Sequence, residues 1–414
     1  MDEDWDDWTT QELCDLQVCY GDSQVEFARR AGVDRRTVQR WTSGQTTPTD
    51  RRVIARLNTL ARQRIAHKAP WLLDPEGTLL MNRRDALRLL ASGAAMTVPA
   101  LLPTLPRTLD DTQLDHIEAT TTVLASAYYD VAPHTLLAPV NAHLEEASRL
   151  LKVSMRPAQR QRLLSLTGDM AAFVARLAFL CDRPGQMEAF LRLAASRAGE
   201  AEDRVLLAEI WCAQGHLYSD SVNGSPYHDP KTAMTLLEHA TLLAVDAPGW
   251  VRSHIAVRVA EERAAAKDAH GTDAALDTAV RALHDTSGPP MPADGFLSTA
   301  GYFAHWGTGL EGYQGTCEVL LGRPERAVRT LETRLDGPLT PRVRAINLTD
   351  LGAARASQGQ PEEAAACLTQ AHDLNGTSGN TIGYQRILGA RQRIDPRCND
   401  LPAVRALDER LRAR

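Results

Sequence analysis

A chain of 414 residues is too long for one small core and fits two or three domains. Its 43% hydrophobic and 5% aromatic residues, with abundant Ala, Leu and Arg, favour helices and give no strand pattern. The net charge of −6 excludes a surface that binds polyanions throughout, and seven cysteines without a CxxC pair exclude a disulfide framework or a zinc finger. No metal or other cofactor is expected.

The charge is unevenly placed. Residues 1–22 carry Asp2, Glu3, Asp4, Asp6, Asp7, Glu12, Asp15 and Asp22 and no Lys or Arg. The stretch Met1–Asp7, with Trp5 and Trp8, reads either as a solubilising tail with a Trp packed on the first helix or as a mimic of DNA. Residues 23–68 hold eleven basic residues against Glu26, Asp34 and Asp50, so 11 − 3 = +8 in one window. Such asymmetry points to a polyanionic partner for that window alone.

Inside it, Ser23 and Glu26 form the spacing of a capping box that starts a helix. Gly32 ends that helix, since the turn needs a residue tolerant of positive φ. Asp34 caps the next helix. Val33, Val38 and Trp41 then fall inward, while Arg35, Arg36, Gln39 and Arg40 fall outward. A helix is expected over 34–42, besides the one between Ser23 and Gly32.

These residues, from Ser23 to Trp41, resemble the helix-turn-helix of the lambda-repressor/Cro-like (XRE-type) regulators, and Ser43 to Pro48 resembles that family's turn into its fourth helix. The resemblance implies that residues 9–19 and 49–66 supply the first and fourth helices, that Gln24 holds a phosphate and that the helix 34–42 lies in the major groove of double-stranded DNA. Arg35, Arg36 and Gln39 are the expected base contacts, through bidentate hydrogen bonds. Thr37, Arg40 and Arg51 are the expected phosphate contacts. A helix-turn-helix reads few base pairs, so a homodimer is expected.

Residues 70–108 read as a linker, punctuated by prolines and glycines around a short amphipathic helix near 82–92. Asn82-Arg83-Arg84 followed by an apolar run resembles a twin-arginine export signal. The run is interrupted by Arg88 and Pro99 and is too short to span a bilayer, so a helix docking on a neighbour is the preferred reading. No membrane role is expected, and the protein is placed in the cytoplasm.

From 109 onward, helical stretches alternate with brief turns. Leu321-Gly322-Arg323-Pro324-Glu325 recurs as Gln358-Gly359-Gln360-Pro361-Glu362, an offset of 37 residues (359 − 322). Gly ends one helix and Pro starts the next. Leu351-Gly352, Gly359, Ala364, Leu368 and Ala371 give this unit its likeness to the tetratricopeptide repeat. Looser units are read around Trp211, Gly215 and Tyr218 with Ala233, Leu237 and Ala240, from Ala178 to Ala195, and from Ala256 to Leu283 turning at Gly271. The fold class is therefore all-α: a lambda-repressor-like domain (9–69) after an acidic tail (1–8), then the linker and a repeat α-solenoid (109–414).

The combination is similar to the peptide-sensing regulators of Gram-positive bacteria and to actinobacterial developmental regulators. That resemblance implies a repeat domain that dimerises and receives a peptide or small ligand. Tyr302, His305, Trp306, Asn347, Asn380 and Tyr384 are the candidate ligand contacts. No phosphate loop, HExxH or Gly-x-Ser-x-Gly is present, and the scattered acids read as solvated faces, so no enzyme is expected. A protein-interaction scaffold and a phage- or plasmid-type repressor remain as alternatives.

Overall fold

The computed structural model describes residues 7–20, 22–68, 83, 87, 108–129, 131–219, 227–285 and 310–413. The chain is all-α, with an N-terminal helix-turn-helix domain followed by a helical repeat-like region. Among the described residues the nearest approach to a strand is a single bridge between Thr108 and Ser154. Two compact units form: Met1–Val131 with Ala138–Met155, and Ala132–Leu137 with Arg156–Arg414.

The first unit opens with α1 (Thr10–Tyr20), α2 (Gln24–Ala31), α3 (Arg35–Thr42) and α4 (Arg51–Lys68). A capping box starts α1: the Thr9 amide and hydroxyl both donate to Glu12, at 2.8 and 2.6 Å. Leu13, Leu16, Phe27, Val38, Leu57 and Ile65 are fully enclosed and make the core of the four helices. Two further helices, α5 (Asp111–Ser126) and α6 (Pro133–Leu150), follow, of which residues 138–150 of α6 belong to this unit. Of the expected linker helix only Arg83 and Leu87 are described, and both are buried. The acidic residues 1–6, the linker residues 70–82, 84–86 and 88–107, and the loop 220–226 lie outside the described residues.

The second unit is a succession of helical hairpins: α7 (Pro157–Leu180) with α8 (Pro184–Glu200), α9 (Arg204–Tyr218) with α10 (Pro230–Leu243), α11 (Gly249–Ala265) with α12 (Ala269–Leu283), α13 (Glu311–Leu321) with α14 (Pro324–Leu335), and α15 (Pro341–Ser357) with α16 (Pro361–Ser378). Helices α17 (Thr381–Arg391) and α18 (Pro402–Arg412) close it. The 37-residue spacing holds in three dimensions. Added Cβ atoms on Gly315 and Gly352 would stand 2.5 and 2.9 Å from Leu331 and Leu368, so bare backbone lets each first helix meet a fully buried leucine of the second. Helix α7 is long and apolar enough to cross a membrane, but 78% of its most apolar window is buried.

Five turns share one geometry. The residues after α7, α8, α11, α13 and α15 that turn the chain are Asp182, Glu202, Lys267, Gly322 and Gly359, all left-handed with φ between 56° and 74°. In each, the amide of the next residue donates five residues back, as Arg183 does to Ala178 and Gln360 does to Arg355. These are Schellman closures, and three of them lack glycine. The expected turn at Gly271 is corrected accordingly: the chain turns at Lys267, and Gly271 sits in the first turn of α12, where its amide is capped by Asp268.

The expectation of solvated acids is also corrected. Glu209, Glu261, Glu262, Glu318 and Asp350 are all buried. Each of the last four meets a partner. Arg258 donates to Glu261, and Ser219 to Glu262. Arg323 pairs with Glu318, while Asp350 accepts from Thr316 of α13 at 2.5 Å and from Arg386 of α17 at 2.9 Å. Cys19, Cys212 and Cys317 are buried and the other four cysteines half-buried, all seven free. Burial pushes the thiols of Cys19 and Cys212 up to about 12, which makes them unreactive at neutral pH.

Candidate nucleic-acid interface

Helix α2 begins where the Ser23 hydroxyl accepts from the Glu26 amide and the Glu26 carboxylate accepts from the Ser23 amide at 2.9 Å. The Ser23 amide first, and the Ser23 hydroxyl donating to the same carboxylate at 2.8 Å second, hold the Glu26 carboxyl below its usual range. Gly32 ends the helix at φ 75°, a conformation that costs a residue with a Cβ about 1 kcal/mol or more. Asp34 then caps α3, accepting from the Thr37 amide at 2.8 Å, and its pKa is lowered for that reason.

This tight connection fixes which face α3 shows to water. Val38 and Trp41 are buried and Val33 is half-buried, while Arg35, Arg36, Gln39 and Arg40 are exposed. Thr37 is half-buried between them. Gln24, at the start of α2, reaches the hydroxyl of Thr42 at 3.5 Å, so it lies beside the end of α3. Arg51, at the start of α4, is exposed.

Not all the basic residues of the window are available. Arg30 pairs with Asp22 at 2.6 Å and lies over the Tyr20 ring, Arg56 donates to the Arg30 carbonyl at 2.6 Å, and Arg64 donates to the Cys19 carbonyl at 2.7 Å. Among the described residues, Arg35, Arg36, Arg40 and Arg51 enter no ion pair or side-chain hydrogen bond. The positive charge is thus sorted into arginines that tie helices together and arginines left facing solvent.

Residues 20–60 match the helix-turn-helix family of XRE-like type. The domain is an XRE-type helix-turn-helix. Its family is one of DNA-binding transcription regulators, and the match spans α2, α3, their turn and the first half of α4. No curated protein matches the chain.

Two features of the helix-turn-helix escaped the reading of the sequence. Arg52 is exposed next to Arg51 and adds to the basic face at the start of α4, a place visible in the charge run itself. The second is Arg83, which has no local signal. Its guanidinium lies 4.1 Å from the centre of the Trp8 ring. It donates to Glu12 at 3.0 Å, to Asn58 at 3.3 Å and to the Asp7 carbonyl. Trp8 in turn donates to Asn58 at 2.9 Å, and the Cys19 thiol meets the Leu87 carbonyl at 3.4 Å. The first arginine of the export-like motif is therefore an internal pin joining the N-terminal segment, α1 and α4.

The candidate ligand contacts are differently placed. Tyr302, His305 and Trp306 lie outside the described residues. Asn347 is buried in α15 and donates to the Val343 carbonyl of its own helix at 2.9 Å. Asn380 caps α17 by accepting from the Gly383 amide at 3.0 Å. Tyr384 donates to the Leu411 carbonyl at 2.6 Å and so ties α17 to α18.

Proposed function

We propose that the protein is a sequence-specific transcription regulator that binds double-stranded DNA as a homodimer, from the cytoplasm, with 9–69 as the reading module. The observation that carries this is the row Arg35, Arg36, Gln39 and Arg40, exposed on a helix whose caps fix its direction. Arg35, Arg36 and Gln39 read bases in the major groove; Gln24, Thr37, Arg40 and Arg51 hold phosphates. The hairpins of 109–414, with the small-residue contacts of a tetratricopeptide-like solenoid, support a role in dimerisation and in receiving a peptide or small ligand. Tyr302, His305, Trp306, Asn347, Asn380 and Tyr384 are the proposed contacts for that ligand.

The test is fluorescence anisotropy on a pool of genomic fragments at about 150 mM salt, with the bound fragments sequenced. The intact protein is expected to enrich a two-fold-related site. Arg36→Ala is expected to bind that site roughly 10- to 100-fold more weakly, the cost of one bidentate base contact. Arg40→Ala is expected to weaken all sequences alike and to flatten the salt dependence. If Arg36→Ala matches the intact protein and binding is unselective, the reading falls and a protein-interaction scaffold takes its place.

A further inference from the structure

Within the first compact unit, α5 and α6 enclose a cavity of about 380 Å³. That is the size of a small-molecule site. Its walls are mainly apolar, from Leu109, Ile117, Ala147 and Leu150, all buried. Gln113 and Glu146 stand half-buried at the rim, where the cavity meets solvent.

One wall residue behaves unlike its neighbours. Thr120, Thr121 and Thr122 follow one another in α5. Thr121 donates to the Ile117 carbonyl at 2.7 Å and Thr122 to the Glu118 carbonyl at 3.0 Å, the usual resting place of a helical threonine hydroxyl. Thr120 is 2% exposed, lines the cavity, and its hydroxyl has no hydrogen-bond partner. A buried hydroxyl left in this state is destabilising unless something else satisfies it. Beside it, His143 holds Nε2 within 3.0 Å of the Thr121 hydroxyl and 3.3 Å of the Ile117 carbonyl. A carbonyl only accepts, so Nε2 carries the proton. Burial lowers the pKa of this imidazole to about 4, and the ring is neutral. The other ionisable lining residues, Glu146 and His116, are half-buried and exposed, so they stand toward solvent and apart from the buried apolar wall that holds Thr120.

We propose that this cavity is a binding site for a small, uncharged, largely apolar molecule with a single hydroxyl or carbonyl, which the Thr120 hydroxyl engages. The apolar walls take the body of the ligand, and its one polar end satisfies Thr120. The site belongs to the unit that holds the helix-turn-helix and is separate from the hairpins assigned above to a ligand. It stands whether or not the DNA reading holds.

The full-length protein is titrated with 2-naphthol and with naphthalene, followed by the probes' own fluorescence. Both are expected to bind saturably, one per chain, with 2-naphthol tighter by about three- to tenfold, the worth of one hydrogen bond. Thr120→Val keeps the shape and removes the hydroxyl. It is expected to bring 2-naphthol down to the affinity of naphthalene and to leave naphthalene unchanged. Ala147→Phe, checked for folding by circular dichroism, is expected to abolish both by filling the cavity. Absence of saturable binding overturns the proposal, whether the space is dry or filled by the chain itself. So does a Thr120→Val protein that still prefers 2-naphthol.

Discussion

At the scale of the single residue, the burial of charge decides most. Burial works against the charge of Arg258, and Glu261 and Glu262 more than restore it, so its pKa is raised. Burial pushes Glu261 upward while Arg258 pulls it down. Removing one side of such a pair strands the other. Arg258→Ala is expected to lower stability by about 3–5 kcal/mol, whereas Arg258→Met with Glu261→Leu is expected to recover most of the loss; urea melts of both decide it. The buried histidines give a pH dependence. Burial lowers the pKa of His143, His216 and His254 below 6.5. The unfolded chain then binds protons that the folded chain refuses. Stability is complete above pH ~6.5 and is lost as pH falls toward the folded values, with His143 alone contributing about 2 kcal/mol of loss by pH 5. Glu261, with a raised pKa, works the other way, but three imidazoles act against one carboxyl. Urea midpoints at pH 8, 6 and 5 should fall in that order; a flat series would refute neutral burial.

At the scale of the element, the turns carry the prediction. Asp182, Glu202 and Lys267 occupy the left-handed position that Gly322 and Gly359 take elsewhere. Glu202→Gly relieves a Cβ clash and is expected to raise stability by roughly 0.5–1 kcal/mol, while Gly322→Ala is expected to cost about 1 kcal/mol. Gly352→Ala meets the Leu368 side chain and is expected to cost roughly 1–3 kcal/mol by overpacking. Thermal melts of the three variants order them. These elements also show what a sequence discloses. Ser23 with Glu26, Gly32, and Asp34 were legible because a cap is a contact between residues three apart. The repeats around Gly322 and Gly359 were legible because Gly and Pro mark both ends of the turn. The turn at Lys267 was not: its left-handed residue is a lysine, with no glycine to mark it, while the nearby Gly271 lies inside α12. Glu261 and Asp350 looked like surface acids because the arginines that neutralise them lie on the same helix's hidden face or on another helix.

At the scale of the whole molecule, the pin made by Arg83 extends the helix-turn-helix unit beyond α4. Glu12 and Arg83 are 4% and 6% exposed and 71 residues apart in the chain. A fragment cut after α4 would keep the whole matched stretch and yet lose the guanidinium. Glu12 would then keep its Thr9 hydrogen bonds but lose its counter-charge in an interior built for an ion pair, and Trp8 would lose its cover. In practical terms the smallest piece expected to fold well is longer than the piece that carries a family likeness. Residues 1–69 expressed alone are expected to melt far below the same module carried through residue 155, with most of the difference reproduced by Arg83→Ala in the longer piece. A truncation that fails to bind DNA would for that reason report on folding, and the search for an operator is best begun with the longer form.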